Sequence, residues 1–484
     1  MTFNSWEFLI FYPIVALLYF VLPKKLKWPM LLIASYYFYM FYQAELVFLI
    51  TLTTLISWLS AMVIERTERP VLKMLMLTVT LVVCLGVLFF YKYFNFLAGS
   101  VVSIVNLLGG EAPEVVLKLI LPVGISFYTF QTLSYVIDVY RGSIKTERNF
   151  FFYALFVSFF PQLVAGPIER PDNLIPQLRE PHKWSRDNAV KGAKHIIVGF
   201  FKKIVVADLI STYVDSVYNN VESATALGVI IATALFAVQI YCDFSGYTDI
   251  ATGCARIMGI RLMKNFDHPY TATSIKEFWS RWHISLSSWF KDYLYIPLGG
   301  NRCSPARHLL NLLVVFAVSG LWHGAAWTFV IWGVLHGVYQ IIGTLTVKRR
   351  DALVIRAGYS PDSPRVVWVR RILTFILVDF SWLFFRANST SDAFTLLARL
   401  FTGWGNTADT LGVMGLDLAG ILTTVFTVLT LIMIDKMLTY DDSPDGSQVL
   451  VERGGFVYYV WVIIIAWLLL YSKGTESTFI YFQF

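Results

Sequence analysis

His308–Val347, HLLNLLVVFAVSGLWHGAAWTFVIWGVLHGVYQIIGTLTV, runs for forty residues without an Asp, Glu, Lys or Arg. A bilayer-spanning helix needs roughly 20 mostly apolar residues, so this stretch holds enough chain for two. Working outward, Met74–Tyr91, Phe150–Ile168, Ala224–Cys242 and Phe456–Tyr471 are equally free of charge. Met1–Pro23, Trp28–Ile64, Ile372–Phe385 and Leu411–Ile434 carry an acid or two. At that length the chain holds roughly ten to twelve spanning or partial helices. Backbone groups in lipid must be satisfied within the segment, and the short alternating segments of a membrane barrel are missing, so the expected fold is all-α and integral to the membrane. Composition agrees: 57% of the 484 residues are hydrophobic and 15% charged, against about 25% charged in soluble domains.

The net charge of +7 reads as membrane topology. Lys348–Arg371 holds seven basic and two acidic residues and is expected on the cytoplasmic side. The basic residues sit in short loops rather than on one face, which argues against nucleic acid as a partner; membrane lipid is the surrounding medium. Met1–Pro23 lacks a basic start and a small-residue cleavage pattern and reads as a retained first helix. Cys84, Cys242, Cys254 and Cys303 form no CxxC pair and no zinc-like spacing with histidine, so neither a disulfide nor a metal is expected.

Polar residues inside apolar sequence are costly and usually functional. His323 is the clearest, in Ser319-Gly-Leu-Trp-His-Gly-Ala-Ala326, flanked by Gly320 and Gly324, which permit a helix break or close backbone approach. An imidazole there suits a general base near neutral pH, or simply a buried hydrogen bond. His336 has the same claim by composition, and spacing does not choose between them. His283 follows Trp282 in Ser274–Tyr295, SIKEFWSRWHISLSSWFKDYLY, which mixes Trp with Lys and Arg as an interfacial amphipathic helix does. Gln239–Asp249 puts Asp243, Ser245, Tyr247 and Asp249 at what reads as a helix end, lining a tunnel or capping and packing. Leu121–Thr132, broken by Pro122 and Gly124, suggests a helix entering a cavity, and Phe160–Pro167 a kinked or re-entrant turn. The chain ends on Phe479-Ile-Tyr-Phe-Gln-Phe484, an apolar tail that is either an interfacial belt or a plug that folds back with Tyr481 at its centre.

Taken in order, LPVGISFYTFQTLSYVIDVYRG (121–142), FPQLVAGP (160–167), YCDFSGYTD (241–249), EFWSRWHISLSSWFKDYLYIPLGGN (277–301), GLWHG (320–324) and WLFFRA (382–387) resemble the membrane-bound O-acyltransferase family. The likeness is to its bacterial branch of alginate O-acetylation subunits, peptidoglycan O-acetylation proteins and D-alanyl-teichoic acid exporters. It implies helices around a funnel or tunnel joining both faces of a bacterial cytoplasmic (inner) membrane. A membrane domain would span residues 1–474, with residues 475–484 as an aromatic F-x-Y-x-x-F tail. It implies that His323 is the essential histidine and His283 the second active-site histidine, and that Asp243, Ser245, Tyr247, Arg281 and Trp282 line the donor site. Ser280 stands where alginate-type relatives commonly carry a basic residue, which leaves Arg281 the nearer candidate for donor phosphates.

The resemblance further implies no permanently bound cofactor and acetyl-CoA, or another acyl thioester, as donor substrate. The acyl group would pass via Tyr481, on an extracytoplasmic C-terminus, or directly to an extracytoplasmic partner. The partner would be an extracytoplasmic acyltransferase of the SGNH type or similar, acting on a cell-surface polysaccharide. Rival readings are D-alanyl transfer from a carrier protein, acyl transfer to a membrane lipid, and a secondary transporter without chemistry, which would show internal repeats.

Overall fold

Helix ends follow the local sequence. Ser5, Asn149, Ser274, Ser304 and Ser389 each accept a hydrogen bond from a backbone N–H of the first turn they precede, and Pro70, Pro305 and Pro364 open helices where no intrahelical N–H bond is lost. The computed structural model describes the chain except residues 42, 114, 165, 406, 443–447, 453–456, 472–478 and 481–484. Its helices divide into two units, each with its own internal packing.

The first unit comprises Met1–Ile196 with Thr248–Met263. Its helices are α1 (Trp6–Val21), α2 (Lys24–Met40), α3 (Val47–Arg66), α4 (Pro70–Leu88), α5 (Phe94–Leu107), α6 (Ile125–Tyr140), α7 (Phe150–Ser158), α8 (Phe160–Leu163), α9 (Pro171–Arg179) and most of α10 (Arg186–Phe200). Helix α3 packs against both α4 and α6, and its buried small face of Thr53, Ser57, Ser60 and Ala61 permits that closeness. Gly124 holds a left-handed conformation (φ 72°) beneath the Leu163 carbonyl and starts α6, so Pro122-Val-Gly124 is a sharp entry into a buried helix. At Phe159 the chain kinks between α7 and the short α8, as expected for Phe160–Pro167.

The second unit comprises Ile197–Tyr247, Lys264–Ser443 and Val449–Phe484. It contains α11 (Asp208–Tyr218), the larger part of α12 (Ala226–Ile257), α13 (Ile275–Arg281), α14 (Ile284–Phe290), α15 (Pro305–His323), α16 (Trp327–Arg356), α17 (Pro364–Arg386), α18 (Thr390–Thr402), α19 (Thr407–Val413), α20 (Leu418–Met437) and α21 (Val457–Tyr471). Among the described residues, a two-stranded sheet of Leu438–Asp442 and Gln448–Glu452 is the small exception to the helices.

Among the described residues, five helical segments are long and apolar enough to cross a membrane, at 44–66, 70–107, 226–257, 305–323 and 327–356; α1, α20 and α21 contribute shorter apolar stretches. Leu17, Ile33, Val71, Val82, Leu345 and Leu469 are among many large apolar side chains left exposed. In water such faces would aggregate; they fit a protein solvated by lipid. The protein is therefore a multi-pass membrane protein.

The structure corrects two boundaries. Asp243–Asp249 lies inside the 32-residue α12 and not at a helix end. Ser274–Tyr295 is not one amphipathic helix: α13 stops at Arg281, the chain breaks at Trp282-His283, and α14 restarts at Ile284. The break matters because it aims His283 inward.

Candidate active site

Helices α15 and α16 form a tight hairpin. At Gly320 a Cβ would collide with the Phe329 carbonyl, and at Gly333 with that of Phe316. Two glycines therefore bring the backbones into direct contact, and α15 ends at His323, with Gly324 turning the chain. The His323 ring is buried. It stands edge-on to Trp332, with centroids 5.0 Å apart, and lies 5.6 Å from Phe385 and 6.3 Å from His283.

His283 is equally buried and adopts φ 43°, a left-handed conformation that costs a non-glycine residue about 1–2 kcal/mol. The strain is held by Asn265. Its side-chain oxygen accepts from the Ser285 amide at 3.3 Å and the Ser285 hydroxyl at 2.8 Å, and its carbonyl accepts from the Ile284 amide at 2.9 Å. That same side-chain oxygen lies 3.1 Å from His283 Nδ1. An oxygen there can only accept, so Nδ1 carries the proton and the lone pair of the neutral ring is on Nε2. Backbone strain fixed by a polar clamp is typical of functional positions.

His336 is different. The Trp279 indole N–H donates to its Nδ1 at 3.2 Å, and its Nε2 faces the Ser381 hydroxyl at 3.2 Å. Ser381 gives its own proton to backbone carbonyls of α17, so Nε2 is the donor in that pair. Both ring nitrogens are committed to holding α13, α16 and α17 together, which gives His336 a packing role that spacing could not assign.

Asp243, Ser245, Tyr247, Arg281 and Trp282 have different surroundings. Asp243 pairs with Lys203, and Tyr247 stacks on Phe479 at 4.1 Å. The Ser245 hydroxyl is buried with no hydrogen-bond partner among the described residues. Trp282 is fully buried, stacked on Phe278 and packed against Phe266 and Trp382. Arg281 donates to Glu277 at 2.6 Å and Thr271 at 2.7 Å. Asp249 lies 3.6 Å from His195 in the first unit. Tyr481 lies outside the described residues.

A cleft of about 1360 Å³ opens within the second unit, with Ile284, the residue after His283, among those that line it. Lys276, Lys291, Arg302 and His308 line it, with Leu312, Val315 and Ser319 forming a continuous face of α15. His323 is the next residue on that face, one turn beyond Ser319. None of the five expected donor-site residues lines this cleft.

Sequence reasoning passed over Asn265, Phe244 and Lys203. Phe244 packs edge-on against His283 at 4.7 Å and lies 6.1 Å from Phe479. A signal for Lys203 existed, since Lys202-Lys203 interrupts an otherwise apolar run from Ile196 to Ala207. Asn265, in a loop of mixed polarity, offered none.

Comparison with known proteins adds the chemistry. The sequence profile of MBOAT, the membrane-bound O-acyltransferase family, matches residues 143–375. The chain is 38% identical to the probable alginate O-acetylase AlgI of Azotobacter vinelandii over 83% of this chain and 78% of that one. It is 34% identical to the probable alginate O-acetylase AlgI of Pseudomonas putida over the full length of both. It is also 34% identical to the peptidoglycan O-acetyltransferase of Helicobacter pylori, over 80% of this chain and 77% of that one. With its helical membrane fold, the chain belongs to the membrane-bound O-acyltransferase family and is an O-acyltransferase.

Proposed function

We propose that this enzyme moves an acetyl group from cytoplasmic acetyl-CoA, through Tyr481, to an extracytoplasmic acyltransferase that O-acetylates a cell-surface polysaccharide. The observation that carries the reading is a continuous series of ring contacts. Phe479 meets Phe244 at 6.1 Å, Phe244 meets His283 at 4.7 Å, and His283 meets His323 at 6.3 Å. Phe479, two residues short of Tyr481, is thus linked through Phe244 to the histidine pair.

The donor side is supported by the cleft. Three basic side chains at its mouth suit the phosphates of coenzyme A. From His308 to His323 helix α15 rises by about 22 Å, a span comparable to an extended pantetheine arm. His323 is buried, so the thioester reaches it by displacing side chains beyond Ser319. Alginate and peptidoglycan, named for the relatives, are the polymer classes that fit.

The chemistry follows from a neutral phenol being a weak nucleophile, with a pKa of about 10. His323 takes the phenolic proton as the Tyr481 oxygen bonds to the thioester carbonyl carbon. The tetrahedral intermediate collapses, the carbon–sulfur bond breaks, and the thiolate takes the proton back from the imidazolium. His283, fixed with its lone pair on Nε2, keeps a second proton acceptor beside the first. The resulting aryl ester is an activated donor. A hydroxyl on the partner attacks its carbonyl, and the departing phenolate recovers a proton.

Topology agrees with the relay. Lys348, Arg349, Arg350 and Arg356 at the end of α16 mark the cytoplasmic face, in the inner membrane of a bacterium. With α17 leaving that face, α20 returning to it and α21 leaving again, the helix order supports an extracytoplasmic tail. The test is acetylation of the polymer in cells carrying His323→Ala or Tyr481→Phe. Both should abolish it with the protein still present in the membrane, and full activity in Tyr481→Phe would remove the relay.

A further inference from the structure

The second unit buries an ion cluster that none of these steps uses. Phe201–Ala207 forms a widened, π-helical turn, a feature common at functional positions. Lys203 on that turn is almost fully buried. Its ammonium lies 2.7 Å from Asp243 Oδ1 and 2.9 Å from Asp208 Oδ1. Gly246 makes this possible, because a Cβ there would stand 2.8 Å from the Gly199 carbonyl and 3.1 Å from the Lys203 amide nitrogen. Two carboxylates thus converge on one buried ammonium.

Burying charged groups is costly, and a structural tie between two helices needs only one lysine and one acid. The second oxygen of Asp243 faces a different partner. Asp243 Oδ2 accepts the backbone N–H of Ile480 at 2.8 Å. One helical turn along α12, the Tyr247 ring lies flat on Phe479, with centroids 4.1 Å apart and planes 29° apart. The Asp243 carboxylate is therefore divided, with one oxygen held by Lys203 and the other turned to the tail.

We propose that the Lys203–Asp208–Asp243 cluster is a peptide receptor for the chain's own C-terminus, with Asp243 and Lys203 as positioning residues. The site reads an aromatic ring at 479 and a main-chain N–H at 480, and so sets the place of the next residue, Tyr481. It is indifferent to the side chain at 480 beyond its being apolar. For its purpose, though not its geometry, this rests on the relay reading above.

A backbone donor can be deleted without touching the cluster. Ile480→Pro removes the N–H, whereas Ile480→Val keeps it. The full chain in lipid nanodiscs would carry the photoreactive p-benzoylphenylalanine at position 479, and mass spectrometry would locate its cross-links. The expected product joins residue 479 to the peptide containing Phe244 and Tyr247. Ile480→Pro should cut its yield about tenfold, as loss of a hydrogen bond to a charged acceptor does, while Ile480→Val leaves it unchanged. Lys203→Met should also lower it; if that variant does not fold, Ile480→Pro alone decides.

Cross-links elsewhere, or an undiminished yield in Ile480→Pro, would overturn the receptor. Positioning predicts in addition that Ile480→Pro lowers kcat for tail acetylation with KM for acetyl-CoA unchanged; an unchanged kcat would contradict it. The relay is scored separately. If Tyr481→Phe retains both the cross-link and polymer acetylation, the relay falls and the receptor stands.

Discussion

His283 and His323 stand with ring centroids 6.3 Å apart and planes at 62°, one carried on a strained break between two short helices and the other on the last residue of a long one. Each depends on its own support, Asn265 for the first and the Gly320–Gly333 crossing for the second. His323→Ala should lower acetyl transfer from labelled acetyl-CoA by at least about 100-fold, the low end for loss of a general base. His336→Gln should keep most of the activity and lose thermal stability, because its ring nitrogens serve Trp279 and Ser381. Equal losses of activity in the two variants would contradict the assignment.

The glycine crossing can be tested by size alone. Gly320→Ala drives a methyl into the Phe329 carbonyl, while Gly343→Ala, on the same hairpin, meets nothing within 4 Å. Overpacking costs about 1–3 kcal/mol, so Gly320→Ala should lower the melting temperature and the activity together. Gly343→Ala should be neutral or slightly stabilising, by up to about 1 kcal/mol. Thermal melts of the two in detergent check this.

The cleft makes an electrostatic prediction. Reversing Lys276, Lys291 or Arg302 to Glu should raise KM for acetyl-CoA roughly two- to fivefold each, as loss of a solvent-exposed ion pair does, with kcat little changed. The increments should shrink in high salt. A fall in kcat with KM unchanged would move the donor site elsewhere.

A pH effect follows from Glu277. Burial works against its charge, but hydrogen bonds from the Thr273 hydroxyl and amide and from Arg281 outweigh that and hold the carboxyl below its ordinary 4.5. A lowered folded-state value means a stabilising contribution that is complete above pH about 4.5 and disappears as pH falls through the lower folded value. The Glu277→Gln protein should therefore lose less melting temperature than the wild type on acidification from about pH 5 to about pH 3.5. Identical slopes would show that the pair with Arg281 contributes nothing.

Long uncharged runs announced the membrane helices, and the position of His323 within one of them was legible because an imidazole is conspicuous there. What local reading missed depends on contacts between distant segments. Asp243 looked like a helix-end residue because polar side chains usually avoid helix interiors in lipid, yet Lys203 neutralises it from another helix, so α12 continues past it. His283 looked interfacial because Trp and Arg surround it, whereas Asn265 holds the break that turns it inward. His336 and His323 were indistinguishable by composition, and it is Trp279 and Ser381, both distant in sequence, that assign His336 to helix packing.

The central claim is that His323 drives acyl transfer onto Tyr481. Purified protein incubated with acetyl-CoA, digested, and analysed by mass spectrometry of the C-terminal peptide tests it most directly. The account predicts one acetyl group on Tyr481 in the wild type, removable by mild base, and none in His323→Ala. An unmodified wild-type tail while free coenzyme A thiol accumulates and acetyl reaches an added acceptor would contradict it.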